Sequence, residues 1–225
     1  MYFIYNYVKM HIFRKLIYNL DKRITLFKLF DDKSKVKTHI YYFLISLKMM
    51  IETYLVYNHS SKYIIENNNV DMTVRNHYSN EIGLYIYDFM SMENKLGAYG
   101  FHHIVSTVLL TYVIRNNLYN YGIYLLMIMN TSTPFLYLAK LTRNFKNKNL
   151  FIYTDSIFLM LFGYCRVYLL SDNLYLNLAT INTYNMYLRS LLGTMWGLQV
   201  LWFVKLSKMY FNQHMRRNLI TNHSH

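Results

Sequence analysis

Two adjacent imidazoles, His102 and His103, stand inside an otherwise apolar run from Gly100 to Ile114. Ionisable side chains are costly in hydrocarbon, so within an apolar segment they face a bundle interior or a wet cavity and count as functional candidates. A neutral imidazole can take a proton from an alcohol or amine, or accept an acyl group itself, when a carboxylate or amide holds its tautomer. Asp88 is the nearest acidic candidate, and it either orients a histidine or pairs with Arg166 across helices; the ion pair is the preferred reading, with Asp155 as the substitute in either role. The alternative for the histidines is a hydrogen-bonded tie between helices or a lipid-headgroup contact. Adjacent residues on a helix diverge by about 100°, which predicts one imidazole in the cavity and the other against a neighbouring helix. The same divergence argues against a metal held by His102, His103, Asp88 and His39, because two histidines that share a metal on a helix are four apart.

The elements that position these residues follow from composition. The 225 residues are 54% hydrophobic and 16% charged, against about 25% charged in soluble domains. The apolar residues fall in runs of roughly 20, the length that crosses a hydrocarbon core. Six spans are predicted, at 38–57, 79–92, 99–114, 118–139, 150–170 and 184–206, which makes the chain an all-α polytopic membrane protein. Residues 1–37 form a basic amino-terminal segment whose first twenty suit an interfacial helix, 38–206 the transmembrane domain, and 207–225 a polar tail. Lys48 and Glu52 stand four apart in the first span and should meet on one helix face. Alternate loops divide the positive charge unequally. One side receives the basic segment, Lys95, the loop with Lys140, Arg143, Lys146 and Lys148, and the tail with Lys205, Lys208, Arg216 and Arg217; the other receives Lys62, Arg75 and Arg115. Positive charge marks the cytoplasmic side, so both termini are expected in the cytosol. The net charge of +13 then reflects topology and anionic lipid rather than nucleic acid. The single Cys165 excludes an intrachain disulfide and a Cys-based zinc site, and the Asn58-His59-Ser60 sequon abuts a span, which disfavours glycosylation.

Five elements in order carry a resemblance: Tyr87-Asp88, His102-His103, Ser132-Thr133-Pro134-Phe135, Arg166, and Gln199-Val200-Leu201-Trp202-Phe203. Together, over about 38–206, they resemble the TLC-domain family, which includes the ceramide synthases, the translocation-associated membrane proteins and smaller relatives. The resemblance implies a six-helix membrane barrel, usually in the endoplasmic reticulum, enclosing a cavity for a lipid or acyl chain, with the His pair facing inward. Two departures stand against a ceramide synthase. Lys95 occupies the position of an Asp seven residues before the His pair, and Asn130-Thr131-Ser132-Thr133 replaces a segment with two Asp. The Ser-Thr-Pro-Phe version looks more like the small relatives connected with membrane lipid composition, which commonly have Glu where Asn130 stands.

Pro134, the only proline, frees the carbonyl of Asn130, and Thr131, Ser132 and Thr133 are near enough to compensate. The kink is either structural or opens the barrel and presents Asn130 and Ser132 to a ligand. Lys140 would contact the phosphates of a fatty acyl-CoA, and Thr133, Arg166, Gln199 and Trp202 complete the binding candidates beside His102, His103 and Asp88 as the catalytic candidates. The expected function is lipid homeostasis by binding or sensing a membrane lipid inside the barrel, without a cofactor or metal. The alternative is an acyl-CoA-dependent lipid acyltransferase using the His pair.

Overall fold

In the computed structural model the described residues are 11–12, 15, 33–63, 72–92, 97–144, 149–172, 174–175 and 186–222. The interfacial reading of 1–20 lies almost wholly outside them, as do Lys95 and the side chains of the sequon's His59 and Ser60. The described residues form six helices and no strand: α1 Lys33–Tyr63, α2 Met72–Ser91, α3 Ala98–Arg115, α4 Tyr119–Arg143, α5 Asn149–Phe162 and α6 Met186–Asn222, with a π-helical stretch Gly163–Leu169 continuing α5.

Each predicted span falls on one helix, but the limits differ: α1 runs five residues further back and six further on than 38–57, α4 ends four residues beyond 139, and the largest differences are in α2 and α6. α2 begins at Met72, seven residues before the predicted start, through a polar stretch that hydropathy does not flag. α6 continues through the tail to Asn222, and its 37 residues measure about 55 Å, well beyond a hydrocarbon core of about 30 Å. Three segments are long and apolar enough to cross a membrane on length and composition: Lys35–Asn58, Tyr119–Arg143 and Leu150–Asp172. α2, α3 and α6 carry more polar side chains, and many of these point inward. His77, Glu81, Asp88, His102, His103 and Gln199 are all buried.

α4 and α5 run antiparallel, with Thr142 against Thr154 and Ala139 in one cluster with Phe158. The turn after α3 uses Asn117 at φ 56°, a left-handed conformation that Asn tolerates, and Leu118 N–H closes it on the Val113 carbonyl at 2.9 Å. Pairings along the helices follow the same sense. Val36 packs near Leu141, Tyr42 stacks on Tyr137, and Tyr57 meets Tyr124. The main neighbours run α1, α2, α3, α6, α5, α4 and back to α1. Two apolar clusters fill the end of this ring at the α3–α4 turn. One joins Val56, Tyr78, Val113, Ile123 and Leu126; the other joins Val105, Leu125, Leu170, Leu188 and Met195. A Cβ on Gly122 would run into the Tyr78 hydroxyl and Val113, so glycine is what lets α4 approach α2 and α3 this closely. In lipid such association rests on close packing and interhelical hydrogen bonds. Lys48 and Glu52 meet at 2.5 Å, as their spacing predicts.

Candidate functional site

Toward the opposite end the ring holds a cavity of about 290 Å³ to which all six helices contribute. α1 supplies Tyr42, Ser46 and Met49; α2 Glu81, Tyr85 and Asp88; α3 Tyr99, His102 and His103; α4 Asn130, Thr133, Tyr137 and Lys140; α5 and its π continuation Phe158, Phe162 and Arg166; and α6 Trp202 and Lys205. Glu81 and Asp88 are seven residues apart, two turns on one face of α2, with Tyr85 between them.

The histidines occupy the first turns of α3. Both line the cavity, their rings 5.4 Å apart, so the expected division is met only in part: His103 faces the cavity, and His102 faces both the cavity and a neighbouring helix. His102 also reaches α6, where its Nδ1 lies 3.2 Å from the Met195 sulfur. A thioether has no proton to give, so Nδ1–H is the donor, and Nε2 is the basic nitrogen of the neutral ring. Trp202 packs edge-on to His102 at 5.0 Å. His103 lies between Tyr85 at 5.3 Å and Tyr99 at 4.7 Å. It is 3% exposed, and neither ring nitrogen has a hydrogen-bond partner among the described residues. Buried polar groups are normally satisfied, so two orphaned nitrogens on a cavity wall ask for a ligand or water.

Arg166 is the hub of the opposite wall. Its Nε–H donates to Ser132 Oγ at 2.7 Å, Nη2 to the Met129 carbonyl at 2.7 Å and to Thr133 Oγ1 at 2.6 Å, and Nη1 to Gln199 Oε1 at 3.3 Å. Its guanidinium also lies 5.2 Å from the Phe162 ring centre. The expected pairing with Asp88 is thus replaced by neutral oxygens from α4 and α6. The π-helical turn, where i→i+5 bonding widens the backbone, carries Arg166 at its centre, and Gly163 at its start leaves room for Phe203, whose ring would lie 2.9 Å from an added Cβ. Asp155 also has a different role from those considered. It binds Arg143 through Nη2 at 2.8 Å and Nε at 3.1 Å, away from the histidines.

A third polar group, on α1, α2 and α4, is absent from the sequence reading. Asn130 Nδ2 donates to Glu81 Oε1 and, at 2.9 Å, to Thr53 Oγ1. Thr53 gives its own proton to the Met49 carbonyl at 2.7 Å, so the 3.0 Å contact with His77 Nε2 requires the imidazole to be the donor. His77 Nε2 is also 3.7 Å from Glu81 Oε1. The i,i+4 spacing of His77 and Glu81 was the available signal, since it puts both on one face of a helix.

Of the remaining candidates, Thr133, Lys140 and Trp202 line the cavity, with Lys140 Nζ 4.9 Å above the Tyr137 ring. Ser132 and Gln199 sit behind Arg166, and neither they nor Pro134 are on the wall. α4 runs through Pro134. Thr131 and Thr133 bond to the carbonyls of Met127 and Met129 rather than to that of Asn130, so neither supplies the expected compensation for the proline. Among the described residues, no three His, Cys, Asp or Glu are placed to share a metal.

No curated protein matches the chain. Residues 35–208 match the TLC domain, which covers every helix described above apart from the first residues of α1 and the end of α6. With its long apolar helices and this match, the chain is a membrane protein of the TLC-domain family, a family connected with membrane lipids.

Proposed function

We propose that this protein binds a lipid within its helical cavity and acts in lipid homeostasis, with all six helices crossing the bilayer as a TLC-type barrel, both termini cytosolic, in the endoplasmic reticulum. The observation that carries the reading is His103, buried to 3% exposure with both nitrogens unpartnered on the wall of a 290 Å³ cavity. Position supports it as well. The ring is packed shut at the α3–α4 end, while Lys140 and Lys205 stand toward the end assigned to the cytosol by the positive charge. From Asn130 to Lys140 the wall of α4 extends about 15 Å, enough for a headgroup and part of an acyl chain. Purification in mild detergent followed by mass spectrometry tests this. A lipid retained by the wild type and lost from a folded His102→Ala/His103→Ala variant is expected; a wild-type protein without lipid would sink the reading.

A second reading is an acyl-CoA-dependent lipid acyltransferase, favoured by the basic Nε2 of His102 beside the cavity and by the two lysines, which suit CoA phosphates. His102 would take the proton of an acceptor hydroxyl or amine. The replacement of the expected carboxylates by Lys95, Asn130 and Thr133 favours the non-catalytic reading. Labelled acyl-CoA with lysolipid or sphingoid acceptors separates the two, since the catalytic reading requires turnover above that of the double-alanine variant.

A further inference from the structure

Glu81 and His103 face one cavity from adjacent helices, and their hydrogen-bonding needs restrict what can lie between them. Among the described residues His103 has no partner at either nitrogen. A neutral imidazole offers one donor and one acceptor, so its complement must both accept and donate. Glu81, 1% exposed, accepts from Asn130, which also donates to Thr53, and Thr53 in turn accepts from His77. Residue 81 stands one helical turn, about 6 Å of helix rise, before Tyr85 on the same face of α2, and the Tyr85 ring lies 5.3 Å from that of His103. Tyr85, Tyr99 and Trp202 supply apolar walls around the same space.

The cations of the cavity are placed elsewhere. Arg166 already donates to four protein oxygens, and Lys140 is about 15 Å along α4 from Asn130. An anionic headgroup would therefore collect near Lys140 and Lys205, leave His103 unmatched, and meet the Glu81 carboxyl if it went deeper. An ammonium group only donates, so it would leave the imidazole N–H unmatched. A hydroxyl does both.

We propose that the cavity selects a lipid with a neutral diol headgroup of the glycerol kind, whose hydroxyls lodge between Glu81 and His103. Asn130, Thr53 and His77 are positioning residues for Glu81. The inference rests on the lipid-binding reading above and specifies the class of ligand.

The test is binding of a radiolabelled monoacylglycerol to the purified full-length protein in nanodiscs. The competitors are unlabelled monoacylglycerol, its dimethyl ether, the fatty acid of the same chain, and a primary alkylamine of that length. The diol should compete at least about tenfold better than the other three, the loss expected when buried polar groups go unmatched. In Glu81→Gln and Asn130→Leu the ratio of diol to dimethyl ether should fall toward one. Equal competition by the dimethyl ether, fatty acid or amine in the wild type would overturn the proposal, and that comparison stands even where a variant does not fold. Absence of monoacylglycerol binding by a protein that still co-purifies with lipid would sink this proposal alone. A wild type that retains no lipid and binds no monoacylglycerol would sink the lipid-binding reading too.

Discussion

His103 and Arg166 are both buried polar residues, but they stand in opposite conditions. The two nitrogens of His103 have no partner, whereas Arg166 is engaged by Ser132, Thr133, Met129 and Gln199. An unmet buried group costs roughly 1–3 kcal/mol, so removing it should help the empty protein. His103→Phe is expected to raise the melting temperature of the lipid-free protein and to abolish the increase that lipid produces in the wild type; a lower melting temperature with lipid response intact would contradict this. Arg166→Lys should act the other way. A lysine keeps the buried charge but cannot form the planar fork, so stability should fall by about 1–3 kcal/mol, read as a lower melting temperature with or without lipid.

Helices are held at close range by a few small residues, and the glycines show where. Gly122 on α4 has Tyr78 and Val113 where a Cβ would go, while nothing lies within 4 Å of the corresponding point at Gly193 or Gly197 on α6. Gly122→Ala should therefore push α4 from α2 and α3, break the 2.6 Å bond from Tyr78 to the Tyr119 carbonyl, and cost about 1–3 kcal/mol by overpacking. Gly193→Ala should be neutral or slightly stabilising through helix propensity. Paired thermal melts check the contrast. At this scale the sequence was informative about which segments are helices, because apolar runs such as 118–139 and 150–170 have few polar interruptions. It was silent on the start of α2, where Thr73, Arg75, Asn76 and His77 lower hydropathy, and on the π-helical turn, which depends on how Arg166 and Phe203 pack. The His pair and the inward face of α3 were readable from residue type. The Glu81 node was not, because it joins residues 28, 49 and 77 positions apart, at Thr53, Glu81 and Asn130, and exists only once three helices meet.

The molecule as a whole is polarised along its helix axes. One end is closed by apolar clusters that include Tyr78, Val113, Leu170 and Leu188; the cavity lies toward the other, with Lys140 and Lys205 on its wall. The proposed orientation, set by the basic loops, would turn this second end to the cytosol. Single cysteines at 115 and 208 in a Cys165→Ser background should label from opposite faces of sealed microsomes, residue 208 from outside and residue 115 only after permeabilisation; labelling of both from outside would refute the six-span topology. The most direct test of the central claim is the lipid itself. Wild-type protein and His103→Phe, each shown to be folded, would be purified in parallel and their bound lipids quantified by mass spectrometry. Lipid binding at His103 requires about one lipid per wild-type chain and its loss from the variant. Equal lipid in both, or none in the wild type, would contradict it.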